Sequence, residues 1–216
     1  LGRGVSAVDG RLYDSNSGQA QFVGNLSDCM ALPGRHNHQN AAAAYAACRA
    51  LGLDPQTIMD GIRTFPGLAH RLEMVGEIDG VKFVNDSKAT NAEAAEQALK
   101  AYKKAYWIAG GVSKAEGIQP LAPLFPNITK AYLIGDSEET FAATLKGKVA
   151  LQTCGTLENA VQAAFRDAKV VGDENPVILL SPACASFDQF RDFEHRGDVF
   201  RSIVQSMMPQ ELKELA

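Results

Sequence analysis

Three stretches of small and polar residues follow extended apolar runs of the sequence. The stretch NDSKATNAE comes after a run that ends near Val84, AGGVSKAEG follows Trp107 and Ile108, and SPACASFDQ follows Leu180. In open α/β sheets, ligands bind in the crevice beyond the carboxyl ends of the strands. The three stretches are therefore predicted to line one ligand-binding crevice.

Two of these stretches contain the pattern of a capping box, in which Ser or Thr is followed three positions later by Glu or Gln. The pairs are Thr90 with Glu93 and Ser186 with Gln189. A capping box places the hydroxyl at a helix N-terminus, where unpaired N–H groups and partial positive charge favour an anion. Lys114 adds a full positive charge from the middle stretch. Together these features predict a site for a small anion.

The last stretch adds small residues and an aromatic ring. In SPACAS, small side chains allow backbone and hydroxyl groups to approach a ligand closely, and Phe187 can form an apolar wall. Each feature also has a purely structural explanation. A capping box usually serves only to satisfy the free N–H groups at the start of a helix. A single lysine is commonly solvated, and the glycines of AGG can allow a tight turn. The coincidence of the three stretches favours a functional site.

A second polar cluster lies around a segment rich in turn formers. Its members are the stretch HNHQN (residues 36–40), His70, Arg71, Asn85 and Asp86. Their structural alternatives are a helix cap for Asn37 or Asn40, a linker charge for Arg71 and a turn start for Asp86. A metal site is not expected at HNHQN, because its two histidines are two positions apart and point to different faces of a helix.

Extended and helical segments alternate from about Leu72 onward, which is typical of a mostly parallel sheet with helices on both faces. An Asp-Gly hairpin opens this part, and the other strands are AYWIAGG, KAYLIGD, VALQTC and PVILLS. The predicted helices cover 91–102, 118–124, 138–145, 157–170 and 188–206. The fold class is therefore α/β and Rossmann-like.

The first part of the chain has a different pattern. Up to about Arg35 it shows short strands and turns, which are followed by an alanine-rich helix closed by Gly52 and a short helix from Pro55 to Arg63. Pro66 and Gly67 then indicate a linker. The predicted units are 1–66 and 67–216. Because the sequence starts at a leucine within apparent strands, we expect it to be a fragment of a longer chain.

Composition excludes several classes of protein. The chain has 216 residues, 46% of them hydrophobic, and a net charge of -4. No stretch reaches the roughly 18 apolar residues of a membrane span, and no basic run indicates nucleic-acid binding. The four cysteines are far apart in the sequence and predict neither a zinc site nor a disulfide scaffold. We expect a cytoplasmic protein that binds small molecules and contacts neither membranes nor nucleic acid.

Taken together, HNHQN, HRLE, NDSKATN, AGG with its lysine, and SPACASFDQF resemble the Mur ligase family over about residues 33–204. The resemblance implies a three-domain enzyme. Residues 1–66 would be the end of the central P-loop ATPase domain, and residues 67–216 would be the C-terminal domain that binds the incoming amino acid.

The resemblance also implies a reaction, ATP-dependent addition of D-glutamate to UDP-N-acetylmuramoyl-L-alanine through an acyl phosphate. ATP and Mg²⁺ would be the cofactors, with the main magnesium ligands outside this chain, and the enzyme would be a monomer. The ATP-site positions it implies are Asn37, Asn40, Arg71 and Asp86. The D-glutamate positions it implies are Thr90, Lys114, Ser186, Phe187 and Phe193.

The sequence departs from the family, whose magnesium ligands and carbamylated lysine it also lacks. It contains no G-x-x-x-x-G-K-[ST] motif, so the phosphate cradle is absent from it. We therefore expect this chain to be inactive alone. Two alternatives stay open: another ligase of the superfamily, such as a folylpolyglutamate synthetase, and a non-catalytic module that binds a nucleotide or an amino acid.

Overall fold

The computed structural model describes residues 3–29, 31–172 and 175–209. The chain divides into two compact units, Leu1–Gly67 and Leu68–Ala216. Each unit has its own sheet and its own apolar core. Within the described ranges, no helix has the length and apolar character needed to cross a lipid bilayer.

The first unit is a three-stranded antiparallel sheet with two helices. Its elements are β1 (Val5–Val8), β2 (Arg11–Asp14), β3 (Gln21–Asn25), α1 (Arg35–Ala50) and α2 (Pro55–Thr64). Strands β1 and β2 are joined by Asp9 and Gly10, which both have positive φ, as a type I′ hairpin turn requires. Helix α2 begins after Asp54, whose carboxylate accepts the N–H groups of Gln56 and Thr57.

The second unit contains a six-stranded sheet in the order β4-β5-β9-β6-β7-β8. Its strands are β4 (Glu73–Ile78), β5 (Val81–Asn85), β6 (Ala105–Gly110), β7 (Ile128–Ile134), β8 (Ala150–Gly155) and β9 (Val177–Leu180). Its α-helices are α3 (Ala92–Ala101), α4 (Glu138–Leu145), α5 (Leu157–Val171) and α6 (Phe193–Met207). Only β4 is antiparallel to its neighbour among these strands, and the turn Asp79-Gly80 joins it to β5. The predicted Rossmann-like class is confirmed.

Strand β6 lies inside the sheet and is buried along its whole length. Trp107 and Ala109 belong to the apolar cluster that includes α3 and α4, whereas Tyr106 and Ile108 belong to the cluster that includes α5 and α6. This alternation follows from the two-residue period of a strand. Helices therefore cover both faces of the sheet, as predicted.

The position of β9 gives the sheet a topological switch point. The chain runs outward through β6, β7 and β8, and then returns to place β9 between β5 and β6. Strand β9 is parallel to both of these neighbours. The segments that follow β5, β9 and β6 consequently leave the same edge of the sheet side by side, where α/β proteins place ligands.

Two predicted helices differ from the structure. Residues 118–124 were predicted as a short helix, and a 3-10 helix covers Gln119–Asn127 instead. Its three prolines, at positions 120, 123 and 126, lack the N–H groups that a continuous α-helix needs. The last helix begins at Phe193 rather than at Asp188, because the carboxylate of Asp192 accepts the N–H of His195 at 2.6 Å and caps it there.

Both predicted capping boxes are wrong. Helix α3 is capped by Asn91, whose side-chain oxygen accepts the N–H of Ala94 at 2.8 Å, so Thr90 precedes the cap. Ser186 starts a turn, in which its carbonyl oxygen accepts the N–H groups of Gln189 and Phe190. The amides that a Ser186 hydroxyl would have capped are therefore used within the turn.

Gly110 at the end of β6 provides a test of this packing. Its φ is +133°, and a Cβ added there would overlap the carbonyl oxygen of Ile134. We expect Gly110→Ala to lower the free energy of unfolding by about 3 kcal/mol or more, because backbone strain and a steric clash add together. Gly147 has φ +74° and open space around it, so Gly147→Ala should cost only about 1 kcal/mol. Equal urea-unfolding midpoints for the two variants would contradict this account.

Candidate functional site

The segments after β5, β6 and β9 are held together by backbone hydrogen bonds. Val112 and Ala185 exchange two such bonds, of 2.9 and 3.0 Å. The N–H of Gly110 donates to Pro182 at 2.9 Å, and the N–H of Asp86 donates to Leu180 at 2.7 Å. The convergence of the three stretches expected from the sequence is therefore present in the second unit.

The small residues of these segments mainly allow the protein to pack against itself. A Cβ on Gly111 would overlap the carbonyl oxygen of Ala185. Ser181, Ala183 and Cys184 are at most 2% exposed. The expectation that SPACAS is small so that a ligand can approach therefore needs correction, because most of this stretch is inside the protein.

Arg196 of α6 binds two of the segments from within. It is 1% exposed and donates to Ser87 Oγ at 3.0 Å, to the Ser87 carbonyl at 2.9 Å and to the Cys184 carbonyl at 3.0 Å. Burial lowers the pKa of Arg196 to about 10. Ser87 Oγ in turn donates to the carbonyl of Phe193 at 2.8 Å. This guanidinium fixes the segment after β5 to the segment after β9.

Asp86 was predicted as a nucleotide-site residue, and its carboxylate is turned inward. It accepts the hydroxyl of Ser181 at 2.8 Å and the N–H of Leu72 at 3.3 Å, and the residue is 8% exposed. Burial raises the pKa of Asp86 to about 7, although these two hydrogen bonds and the nearby Arg71 favour the charged form. The side chain therefore ties the start of β4 to the carboxyl ends of β5 and β9.

His70 and Asn85 form a buried polar group next to Asp86. His70 has φ +63° and is 7% exposed, and Asn85 is fully buried. Asn85 Nδ2 lies 3.1 Å from His70 Nδ1, 3.1 Å from Glu73 Oε2 and 3.2 Å from the carbonyl oxygen of Gly197. These contacts connect the first residues of the second unit to helix α6.

Lys88 and Phe193 are paired beside this group. Lys88 Nζ lies 3.8 Å from the centroid of the Phe193 ring, a cation–π geometry. The ring also meets His70 edge-on, with 6.2 Å between centroids. Phe193 was predicted as a substrate-side residue, whereas Lys88 was missed although it lies within NDSKATN. The signal that could have found it was its position in that stretch.

Lys114 is exposed and lines a cavity of about 390 Å³ with the start of α3. The charged or polar residues around it include Asn91, Glu93, Glu96 and Glu116. Because three carboxylates surround one ammonium group, the cavity has a net negative charge, which disfavours the binding of a further anion in it. Thr90 and Ser186 are not among its lining residues. Their grouping with Lys114 in one pocket stays a prediction.

Ser186 and Phe187 have opposite exposures. Ser186 is 2% exposed, whereas Phe187 is 73% exposed and is the more accessible of the two for a ligand. Since α6 begins seven residues after Ser186, its N-terminus does not lie at this hydroxyl. The argument that two helix N-termini attract an anion therefore fails for the last stretch.

Asn37 and Asn40 belong to the first unit and both lie on α1. Asn37 donates to the carbonyl of Pro33 at 2.8 Å, and Asn40 is exposed. Gly34 occupies the N-cap position of this helix and no side chain caps it, so neither asparagine is a cap. Arg71 is exposed in the second unit, and the common nucleotide site of these residues and Asp86 stays a prediction.

In residues 3–29, 31–172 and 175–209, no three His, Cys, Asp or Glu side chains are grouped so that they could hold a metal ion. The four cysteines are free thiols, and two of them are buried.

Comparison with known proteins identifies the class. The model of the family described as "Mur ligase, glutamate ligase domain" matches residues 70–184. This chain belongs to the Mur ligase family. The matched range spans β5, β6 and β9, and includes the segments that follow β5 and β6 and the first residues that follow β9.

Within this family, the chain is similar over nearly its whole length to ligases of one name. It is 58% identical over 207 residues to the UDP-N-acetylmuramoylalanine–D-glutamate ligase of Caulobacter vibrioides. It is 55% identical over 208 residues to the ligase of the same name from Rhodospirillum rubrum. These matches cover 96% and 94% of this chain but 44% and 43% of the relatives. The chain thus spans less than half the length of the curated relatives it matches.

Solved structures support the fold alone. UDP-N-acetylmuramate–alanine ligase from Thermotoga maritima superposes with a TM-score of 0.59 at 18% identity, covering 94% of this chain and 45% of that one. A pseudomurein peptide ligase type C from Methanothermus fervidus gives a TM-score of 0.58 at 16% identity, covering 94% and 41%. The family match and the named relatives, rather than these structures, confirm the predicted resemblance to the family.

The buried carboxyl of Asp86 generates a prediction about pH. Its pKa of about 7 in the folded protein exceeds the ordinary 3.8, so the folded state binds the proton more tightly between these values. Its contribution to stability is therefore greatest below about pH 4, falls by up to about 4 kcal/mol as the pH rises to 7, and is constant above that. Asp86→Asn should remove this fall, which urea unfolding from pH 4.5 to 8 can measure.

A second variant tests the contribution of Ser181 to the pKa of Asp86. Ser181 donates to the charged carboxylate, so Ser181→Ala should raise the pKa of Asp86 further and extend the loss of stability to higher pH. If wild type and Asp86→Asn showed the same dependence on pH, the pKa of Asp86 would not be raised in the folded protein.

Proposed function

We propose that this chain is the amino-acid-binding part of a ligase that adds D-glutamate to UDP-N-acetylmuramoyl-L-alanine. The observation that carries the proposal is the 58% identity over 207 residues to a protein named for that reaction. The proposal assigns residues 1–66 to the end of a central ATPase domain and residues 67–216 to the C-terminal domain. The whole enzyme would work in the cytoplasm as a monomer.

In this reaction ATP transfers its γ-phosphoryl group to the terminal carboxylate of UDP-N-acetylmuramoyl-L-alanine, which forms an acyl phosphate and releases ADP. The amine of D-glutamate attacks the carbonyl carbon and forms the new C–N bond, and phosphate leaves when the tetrahedral intermediate collapses. Such a reaction requires an amine and an activated acyl group to be held in line while water is excluded. The role of this chain is to hold D-glutamate.

The converging segments of the second unit support this role. Thr90, Lys114, Ser186, Phe187 and Phe193 are the residues proposed to hold D-glutamate. Lys114 is exposed and can meet one carboxylate. The exposed Phe187 and the Phe193 ring, which lies against Lys88, offer apolar walls. Ser186 is only 2% exposed. We therefore propose that it contributes to binding by holding the turn that it begins.

A nucleotide site is proposed for Asn37, Asn40, Arg71 and Asp86. Arg71 is exposed and can reach a phosphate, whereas Asp86 points inward to Ser181 and Leu72 and acts by fixing the backbone near Arg71. ATP and Mg²⁺ are the proposed cofactors, and the main magnesium ligands would come from outside this chain. Because the sequence has no G-x-x-x-x-G-K-[ST] motif, the chain alone should release no phosphate from ATP.

A chimera tests the proposal directly. In it, this chain replaces the matching part of the Caulobacter vibrioides relative. The chimera should release phosphate from ATP only when UDP-N-acetylmuramoyl-L-alanine and D-glutamate are both present. Turnover with a folyl substrate instead would favour another ligase of the superfamily, and ligand binding without turnover would favour a non-catalytic module.

Lys114→Ala in this chimera should raise KM for D-glutamate by roughly tenfold or more, because a charge-assisted hydrogen bond to a carboxylate is lost. KM for ATP should change far less. The control is Lys146→Ala, which removes an exposed lysine after α4, at the amino end of β8. If both constants rose together, or if the control matched Lys114→Ala, the assignment of Lys114 would be wrong.

Arg71→Ala should have the opposite selectivity. Loss of an arginine that binds phosphate is expected to raise KM for ATP by about tenfold or more while KM for D-glutamate changes little. Arg166→Ala, which removes an exposed arginine from the middle of α5, serves as the control. An unchanged KM for ATP in Arg71→Ala would remove Arg71 from the nucleotide site.

A further inference from the structure

The turn that follows β9 is fastened to two strands with which β9 does not pair. Asp188 Oδ2 accepts the N–H of Asp136, just after β7, at 3.1 Å. Gln189 Nε2 donates to the carbonyl of Gly155, at the end of β8, at 2.7 Å. Within the turn, the Ser186 carbonyl accepts two N–H groups. The turn therefore reaches across β6 and is held at the carboxyl ends of β7 and β8.

The partners of this turn are themselves fixed. Glu138 Oε1 accepts the N–H groups of Cys154 and Gly155 at 2.9 and 2.6 Å, which immobilises the carbonyl that Gln189 meets. Gly135 has φ +69°, and a Cβ there would overlap Oδ2 of Asp188. The absence of a side chain at Gly135 is thus what allows the carboxylate of Asp188 to reach the backbone.

The turn presents an aromatic ring to solvent. Phe187 is 73% exposed, so little packing of its own side chain determines where it lies. Its position depends on the flanking residues, Ser186, which is buried, and Asp188, which is anchored. A backbone held in advance loses less conformational entropy when a ligand binds, and this raises affinity.

We propose that Asp188 is a positioning residue for the substrate site, and that it holds Ser186 and Phe187 in place by accepting the N–H of Asp136. It acts as a hydrogen-bond acceptor and touches no reacting atom. Gly135 leaves space for the Asp188 carboxylate, and Gln189 anchors the other end of the turn to Gly155. This inference rests on the proposed binding of D-glutamate by the same segment.

The first measurement uses the 216-residue chain and follows amide hydrogen exchange by NMR. Asp188→Ala should speed exchange of the Asp136 amide by about tenfold or more, because its acceptor is lost. Asp188→Asn keeps an acceptor oxygen and should keep the protection. Unchanged exchange at the buried β6 amides would show that both variants are folded. Equal exchange of the Asp136 amide in wild type and Asp188→Ala would overturn the proposal.

The second measurement uses the chimera described above. Asp188→Ala should raise KM for D-glutamate by about tenfold, with kcat and KM for ATP changed less than about threefold. Asp188→Asn should restore the wild-type KM, and Gly135→Ala should resemble Asp188→Ala. The control is Asp167→Ala, which removes a carboxylate bonded to Lys130 and Tyr132 on another part of the sheet.

The outcomes separate the two proposals. An active wild-type chimera with an unchanged KM for D-glutamate in Asp188→Ala overturns the positioning role alone. The same is true if Asp188→Asn is as impaired as Asp188→Ala, since the acceptor would then not be what matters. A wild-type chimera without turnover of D-glutamate overturns the proposed function, and this role with it.

Discussion

The insertion of β9 between β5 and β6 is the constraint on which the rest of the second unit depends. Its four residues are buried and pair in parallel with a strand on each side. Placing β9 there brings three distant segments of the sequence to one edge of the sheet. The hydrogen bonds between Val112 and Ala185, and from Gly110 to Pro182, then follow from adjacency. A strand at the outer edge could not have joined these segments.

Polar groups buried below this edge hold the segments in one conformation. Asn85 and Arg196 are at most 1% exposed and Asp86 is 8% exposed. Burying such groups is unfavourable unless hydrogen bonds compensate for the lost water. Here they bond to Ser181, Ser87 and backbone groups of neighbouring segments. Because an alternative loop arrangement would break these hydrogen bonds, the network favours a single arrangement before any ligand is present, although Nη1 of Arg196 is buried without a partner among the described residues.

The sequence predicted the sheet better than the site. The alternation of apolar runs and helical segments, together with the Asp-Gly turns, was enough to predict the class of fold and most elements. The predicted start of α6 was wrong because the helix is capped by Asp192, whose carboxylate accepts the N–H of His195, and not by Ser186. Arg196 was missed because its partner Ser87 is 109 positions away, and no local pattern distinguishes a buried arginine from a solvated one. Such contacts depend on the tertiary fold.

The cations of the second unit that are discussed above differ in their exposure and in the contacts that they make within the protein. The Arg196 guanidinium is buried among carbonyls of two segments, and Lys88 lies on the ring of Phe193. By contrast, the side chains of Arg71 and Lys114 are exposed, and neither forms an ion pair with a residue in the described ranges. Among the described residues, neither side chain makes a contact that holds the loops, although three glutamates line the cavity beside Lys114. Arg196 and Lys88 therefore help to fix the shape of this edge, while Arg71 and Lys114 are the exposed cations from which the proposed ligand contacts would come.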